Sequence, residues 1–335
     1  MVDTPARPHP SFSPVRKKSL VISSRSVVIV FVRRLLKSLW GSKRFGWRIA
    51  RMSVMLCVGL VIVITFFEDR FIYYPVKYPE GEWDVSNPPG HEGQIVPVIE
   101  DSYFTTADGV KLHGWYCIPK RKGGRGLIPV PAPMVLLWFH GNAGNITDRY
   151  DMIRALMQVP IRVLIIDYRG YGKSEGSPTE RGLYADAEAA WHYLSTERTV
   201  PAENIIIFGK SLGGAPAIDL ATRVQPAGLI VQSSFTSIPG MAGTLIPHFP
   251  GMFLRTKMDS INKIGRVSCP KLFIHSPADE LVPFEMGRQL YTAAAEPKRF
   301  YEVPRAPHND TWMVGGNAYL EEIRSFAKSC GPVNK

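Results

Sequence analysis

Residues 205–223 constrain this chain most, because a glycine-flanked serine there joins two patterns that belong to different elements. Ile205, Ile206, Ile207 and Phe208 form an unbroken apolar run, which suits a strand buried on both faces of a parallel sheet. Gly209-Lys210-Ser211-Leu212-Gly213 follows, and behind it Ala215, Ala217, Ile218, Leu220 and Ala221 recur at helical spacing. A strand that turns straight into a helix at G-x-S-x-G is the nucleophile elbow. Glycines at 209 and 213 let strand and helix crowd together while Ser211 occupies a strained turn with its hydroxyl exposed. The helix N-terminus beneath it favours developing negative charge.

The rest of the chain supplies the sheet such an elbow needs. Residues 102–106 and 112–118, separated by Asp108-Gly109, read as an antiparallel hairpin at a sheet edge, and the Gly- and basic-rich 120–126 as a loop. Strands are expected at 134–139 and 162–166, with helices at 148–157 and 181–194. Beyond the elbow, 228–231, 271–275 and 299–303 read as strands, and 285–294 and 318–327 as helices. This alternation implies an α/β fold with a mostly parallel central sheet and helices on both faces. There is no internal repeat.

A serine hydroxyl is a weak nucleophile and needs a base that is itself oriented by an acid. On this architecture the chain order is Ser, then Asp or Glu, then His, with acid and base on loops after later strands. The expected strand 271–275 runs into Ser276-Pro277-Ala278-Asp279-Glu280-Leu281-Val282-Pro283, and 299–303 runs into Arg305-Ala306-Pro307-His308. Asp279 and His308 therefore stand at the carboxyl ends of strands, where the crevice of an open sheet forms. Glu280 competes with Asp279 for the acid role; Asp279 is preferred because D-x-x-V-P follows it. The oxyanion needs preorganised donors. Trp138-Phe139-His140-Gly141-Asn142, after a buried strand, offers the backbone N–H of Asn142, and the elbow offers that of Leu212. His140 is read as a loop brace, His275 as packed within its strand, Asp167 and Asp310 as structural, and Lys210 as solvated.

Charge separates the chain into two parts. The net charge is +11, and residues 1–51 hold 12 of the 40 Lys and Arg against the single acid Asp3. The excess of basic residues is confined to this leader, since residues 52–335 hold 28 Lys and Arg against 28 Asp and Glu, which argues against a nucleic-acid partner. Residues 1–19 read as disordered; 20–47, where apolar residues alternate with basic ones, suits either an anionic membrane surface or a solvated tail. Residues 52–67 carry no charge, Trp47 precedes them, and Phe71, Tyr73 and Tyr74 follow. That pattern reads as an uncleaved transmembrane anchor with a cytoplasmic N-terminus and the catalytic domain on the outer side. Met52 and Met55 are alternative starts, and a chain begun there would lose most of that orientation signal. The implied domains are a leader 1–51, an anchor 52–67, a connecting segment 68–100 and a catalytic domain 101–330. Cys57, Cys117, Cys269 and Cys330 form no metal-binding or disulfide pattern, and neither metal nor cofactor is expected.

The runs FHGNAGN, DYRGYGKSEGSPTERGLYADAEAAWHYL, GKSLGGAPAIDLA, HSPADELVP and PHND resemble the single-pass, membrane-anchored α/β-hydrolase-domain proteins 13 and 17 and their bacterial relatives, over residues 68–328. The resemblance implies an α/β-hydrolase fold with Ser211 as nucleophile, Asp279 as acid, His308 as base, and Asn142 with Leu212 as oxyanion donors. Some members are depalmitoylating thioesterases that reach the cytoplasmic face through lipidated N-terminal cysteines, and residues 1–56 here contain none. The same motifs occur in dienelactone hydrolases and serine aminopeptidases. A short lid is expected at 235–267, where Met241, Leu245, Ile246, Phe249, Met252, Phe253 and Leu254 either face an acyl chain or cap the core. The expected substrate is a small-molecule or lipid ester or thioester; a peptidase or amidase on the same residues, or a non-catalytic scaffold, are the alternatives.

Overall fold

A computed structural model describes residues 43–85, 91–246, 251 and 254–331. The leader as far as residue 42, and Phe249, Met252 and Phe253 of the expected lid, lie outside the described residues. The chain divides into two compact units, Met1–Val61 and Ile62–Lys335.

Helix α1 runs from Lys43 to Ile72 without interruption. It includes all of the expected anchor, yet no helix among the described residues is long and apolar enough to cross a membrane. The uncharged run is sixteen residues, about 24 Å of helix against the roughly 30 Å of a hydrocarbon core, and Arg48, Arg51, Glu68, Asp69 and Arg70 bound it.

In the second unit, β1 (Tyr74–Pro75) pairs in parallel with β6 (Ala143–Gly144) as a small separate sheet. The main sheet holds β2 (Ile95–Thr105), β3 (Lys111–Gly123), β4 (Gly126–Pro129), β5 (Met134–Phe139), β7 (Ile161–Asp167), β8 (Ile205–Lys210), β9 (Gly228–Gln232), β10 (Lys271–His275) and β11 (Lys298–Glu302). Their order is β11-β10-β9-β8-β5-β7-β3-β2, with β4 on β3. From β7 to β11 every neighbouring pair is parallel, whereas β3 runs antiparallel to both β7 and β2. Asp108-Gly109 forms the β2–β3 turn, with Gly109 at φ +84. The expected loop at 120–126 is instead the continuation of β3 into a turn and β4. Its basic residues Lys120, Arg121 and Lys122 are compatible with a strand because this end of β3 runs past β7 and is exposed or half-buried.

Every residue of β5, β8, β9 and β10 is buried. Helices lie on both faces, as a parallel sheet requires. Alternate strand residues divide between the faces. Leu137, Ile207 and Val231 pack with α3 (Glu180–His192), α4 (Gly214–Ala221) and α7 (Phe284–Ala293). Leu136, Phe208 and Ile230 pack with α2 (Tyr150–Leu156) and α8 (Thr311–Cys330). α8 begins earlier than the expected 318 and changes direction at Gly316, whose φ of +50 breaks the helical pattern there. In the lid region, α5 (Ile238–Leu245) is capped by Ser237, and Leu245 and Ile246 are exposed while Leu254 is buried; α6 (Ile261–Ile264) closes the segment.

Register fixes where the loops emerge. Phe139 pairs with Gly209, Gly209 with Val231, and Lys210 with Gln232, while Gln232 pairs with Ile274 and His275 with Glu302. The carboxyl ends of β5, β8, β9, β10 and β11 are therefore level, and their loops share one edge of the sheet. Gly209 is the packing constraint at that edge, since a Cβ there would lie 2.5 Å from the Gly213 carbonyl oxygen and 2.6 Å from the Ala217 Cβ. Gly209→Ala is expected to cost about 2 kcal/mol through overpacking. Thermal melts should show this as a Tm lower by about 4–8 °C; an unchanged Tm would contradict the packing described.

Candidate active site

Ser211 has φ +53, a left-handed conformation that a non-glycine residue seldom holds without tertiary enforcement. The enforcement comes from close approach on two sides. A Cβ on Gly213 would stand 2.0 Å from the Phe139 carbonyl oxygen, and one on Gly214 2.1 Å from the Ser234 Oγ. Ser211 to Gly213 form a 3-10 turn that leads directly into α4. The carbonyl of Ser211 accepts the Gly214 N–H within this turn and a second hydrogen bond, of 2.9 Å, from the Ser234 hydroxyl beyond β9.

His308, on the loop after β11, places Nε2 3.0 Å from the Ser211 Oγ. Its Nδ1 lies 2.8 and 2.9 Å from the two carboxylate oxygens of Asp279, on the loop after β10. A carboxylate only accepts, so Nδ1 carries the proton and the Nε2 lone pair faces the serine hydroxyl. The Asp279 side chain is wholly buried. Its Oδ1 accepts the N–H groups of Leu281 at 3.0 Å and Val282 at 2.8 Å. His275 Nε2 lies 3.3 Å from Oδ2 and 3.0 Å from the Val282 carbonyl, both acceptors, so that ring is protonated on Nε2. Burial alone would raise the Asp279 pKa, but the hydrogen bonds from His275 and His308, the His308 charge and the Val282 N–H outweigh it and hold the carboxyl well below the usual carboxylate range.

Glu280, weighed as an alternative acid, turns away from the histidine ring and accepts the His308 backbone N–H at 3.0 Å. It braces the loop that carries the base. Lys210 is not solvated as expected: it is buried, and its Nζ donates to the Asn309 carbonyl at 3.2 Å. Lys210 ends β8, between parallel strands, so its side chain leaves the sheet into the packed histidine loop. Burial and the nearby Arg149 lower its pKa to about 8, against the opposing pull of Asp310 and Asp279.

The loop after β5 lies against the elbow, with a Cβ added at Gly141 only 3.6 Å from the Ser211 Cβ. Asn142 follows, its Oδ1 accepting from the Tyr171 hydroxyl at 3.3 Å. Leu212, next to Ser211 in the turn, is buried. His140 braces this loop: its Nδ1 donates to the Gly141 carbonyl, Tyr168 donates to the His140 carbonyl at 2.9 Å, and the His140 and Tyr168 rings lie 4.7 Å apart. Burial lowers the His140 pKa to about 3, so the ring is neutral near pH 7. Asp167 is fully buried between the Ile146 N–H and the His113 ring, a structural position. The contributions of Glu280, Lys210 and Ser234 were missed in the sequence reading; only the adjacency of Glu280 to Asp279 gave any signal. Among the described residues no group of three or more His, Cys, Asp and Glu side chains could hold a metal ion, and Cys117, Cys269 and Cys330 are free thiols.

This geometry can be set beside known proteins. Residues 131–255 match the family described as Serine aminopeptidase, S33. A protein of Mycobacterium tuberculosis (strain CDC 1551 / Oshkosh) is 37% identical over 288 residues, covering 83% of this chain and 95% of its own. The alpha/beta hydrolase domain-containing protein WAV2 of Arabidopsis thaliana is 31% identical over 298 residues, covering 83% and 92%. Among solved structures, the Pyrococcus furiosus esterase Pf2001 superposes with a TM-score of 0.59 at 21% identity, covering 77% of this chain and 98% of that one. The chain belongs to the α/β hydrolase superfamily, with the α/β hydrolase domain-containing proteins.

The depressed Asp279 pKa fixes the sign of one pH dependence. Because the folded value lies below the unfolded one, the stability Asp279 contributes is present above about pH 4 and lost as pH falls through its folded value. Urea unfolding of wild type and Asp279→Asn should therefore differ by a constant margin from pH 8 to 5, narrowing below pH 4. A margin that widens in acid would contradict this.

Proposed function

We propose that this protein is a serine hydrolase that cleaves carboxylic ester or thioester bonds through an acyl-enzyme on Ser211. One observation carries the reading: His308 Nε2 lies 3.0 Å from the Ser211 Oγ while a wholly buried Asp279 carboxylate holds Nδ1. As the Ser211 oxygen bonds to the acyl carbon, Nε2 accepts the hydroxyl proton and the imidazolium is stabilised by Asp279. The carbonyl oxygen becomes an oxyanion and is received by the backbone N–H groups of Asn142 and Leu212. Collapse breaks the bond to the leaving alcohol or thiol, which takes the proton from Nε2. Water then repeats the sequence, with His308 as base, and releases the acid. No metal or cofactor enters these steps.

The family match favours a second reading, a peptidase or amidase on the same residues. An amide leaving group must be protonated by His308 as it departs, which the same Nε2 performs. Exposed Leu245 and Ile246 on the lid favour an acyl-chain or lipid substrate. A single-pass membrane tether through residues 52–67, with the N-terminus cytoplasmic and the hydrolase domain outside, is supported by the excess of Lys and Arg before residue 52 and by the exposed Trp47, Met52, Val54, Met55 and Leu56 of α1. Tilting is unnecessary for a run this short; Arg48 and Arg51 would snorkel to the headgroups.

With the full chain in detergent, Ser211→Ala and His308→Ala should each lower kcat on p-nitrophenyl esters by about 10⁴ or more. Variants that retain wild-type turnover would remove the triad reading. A rate optimum at long acyl chains supports the lipid substrate, an optimum at acetate removes it, and faster cleavage of aminoacyl amides installs the second reading. In sealed vesicles, protease added on the cytoplasmic side should leave the hydrolase domain intact; its digestion from that side alone would overturn the tether's orientation.

A further inference from the structure

The loop that carries the Asn142 N–H is braced on one side by His140 and Tyr168 and held on another by a distant piece of chain. Gly141 and Gly144 bracket it, the latter at φ +83, where a Cβ would meet the Asp148 Oδ2 at 1.9 Å. Immediately after α1, residues 74–80 run along this loop. Tyr74 pairs with Ala143 and Pro75 with Gly144, and the Val76 N–H donates to the Gly144 carbonyl at 3.1 Å. The far side of the same segment is fixed to the turn after β7: the Gly172 N–H donates to the Val76 carbonyl, and the Tyr78 N–H to the Gly172 carbonyl, both at 2.9 Å.

Asn145 joins the two. It is 1% exposed, and both hydrogens of its side-chain amide go to the segment, to the Val76 carbonyl at 3.3 Å and the Glu80 carbonyl at 3.0 Å. Its Oδ1 accepts the Thr147 N–H at 2.9 Å and the Thr147 hydroxyl at 2.7 Å, capping the short helix Ile146–Arg149. Every hydrogen-bonding position of the amide is used, two as donor and two as acceptor, which a carboxylate or a hydroxyl of that size cannot reproduce.

We propose that Asn145 is a positioning residue for the oxyanion site, clamping residues 74–80 to the 141–145 loop so that the chain just beyond α1 sets the direction of the Asn142 N–H. This rests on the reading of Ser211 as an acylated nucleophile. The segment is then part of the catalytic apparatus and not a linker, and a hydrolase domain begun after it would keep the triad while losing the orientation of one oxyanion donor.

The helix cap and the clamp are separable by substitution. Asn145→Ser keeps an acceptor for the Thr147 N–H, and Ser and Asp cap helices about as well as Asn. Neither can donate to both Val76 and Glu80. Gly81→Ala instead strains the end of the clamped segment, at φ +113 and with a Cβ 2.3 Å from the Thr147 Oγ1, while Asn145 itself is kept. The full chain would be assayed with p-nitrophenyl butyrate and with a fluorophosphonate probe. Expected for Asn145→Ser, Asn145→Asp and Gly81→Ala is a kcat lower by about ten- to a hundredfold, a fraction of the loss on removing an oxyanion donor to its full loss. KM should stay within about twofold, with a proportionate slowing of probe labelling and melting transitions retained. Wild-type kcat in all three variants, or full rescue by Ser and Asp of a loss seen in Asn145→Ala, would reduce Asn145 to a helix cap and overturn the proposal while leaving the hydrolase reading in place. A wild-type chain that takes no probe would end both.

Discussion

A side chain at residue 209, 213 or 214 would overlap the backbone or side chains of three neighbouring elements, and the rest of the site follows from their absence. Without Cβ atoms there, α4 begins flush against the end of β8, its first turn touching the Phe139 carbonyl on one side and Ser234 on the other. The backbone can reverse so tightly only if Ser211 takes a positive φ, and the crowding supplies the energy that holds it there. Neighbouring strands lie about 4.8 Å apart, so the loop leaving β5 is brought within contact of the elbow by sheet geometry alone. Gly141 at that point permits the approach.

Electrostatics at this edge is arranged around one buried anion. Asp279 is stripped of water but surrounded by donors: two backbone N–H groups and two histidine rings of opposite tautomer. His275 is fixed by the Val282 carbonyl as well as by Asp279, so it contributes a stationary dipole. His308 has its other nitrogen toward a hydroxyl, which leaves it as the ring placed to exchange a proton. Nearby, burial holds His140 as a neutral ring, whereas Lys210, its pKa lowered to about 8, still carries its proton near pH 7. Another buried acid, Asp186, is raised to about 6 by burial, against the hydrogen bonds and charge of Arg169.

Much of this was legible from residue order. Parallel strands buried on two faces leave continuous apolar runs, so 134–139, 205–208 and 271–275 stood out, and residues just past their ends were the ones to examine. Asp279 and His308 were accessible to that reasoning, and the structure brings both to Ser211. Lys210 was not, because an isolated lysine looks solvated in sequence, and its burial depends on a histidine loop 99 residues away. The β3–β4 hairpin was hidden because Lys120, Arg121 and Lys122 carry β3 past its buried part and β4 is only four residues long. Residues 74–80 gave no signal of contact with the 141–145 loop: the carbonyls of Val76 and Glu80 accept from Asn145, and carbonyls are common to every residue. The membrane-crossing expectation came from the absence of charge in 52–67, a property of composition; the length of that uncharged run is what falls short in α1.

The central claim is that Ser211 forms a covalent bond to an acyl group with His308 removing its proton. The most direct measurement is intact-mass analysis of the full chain after exposure to a fluorophosphonate, with peptide mapping of the adduct. The account predicts a single phosphonyl addition, located on the peptide containing Ser211 and strongly slowed by His308→Asn. A folded chain that gains no mass, or gains it at another residue in both wild type and Ser211→Ala, would contradict it.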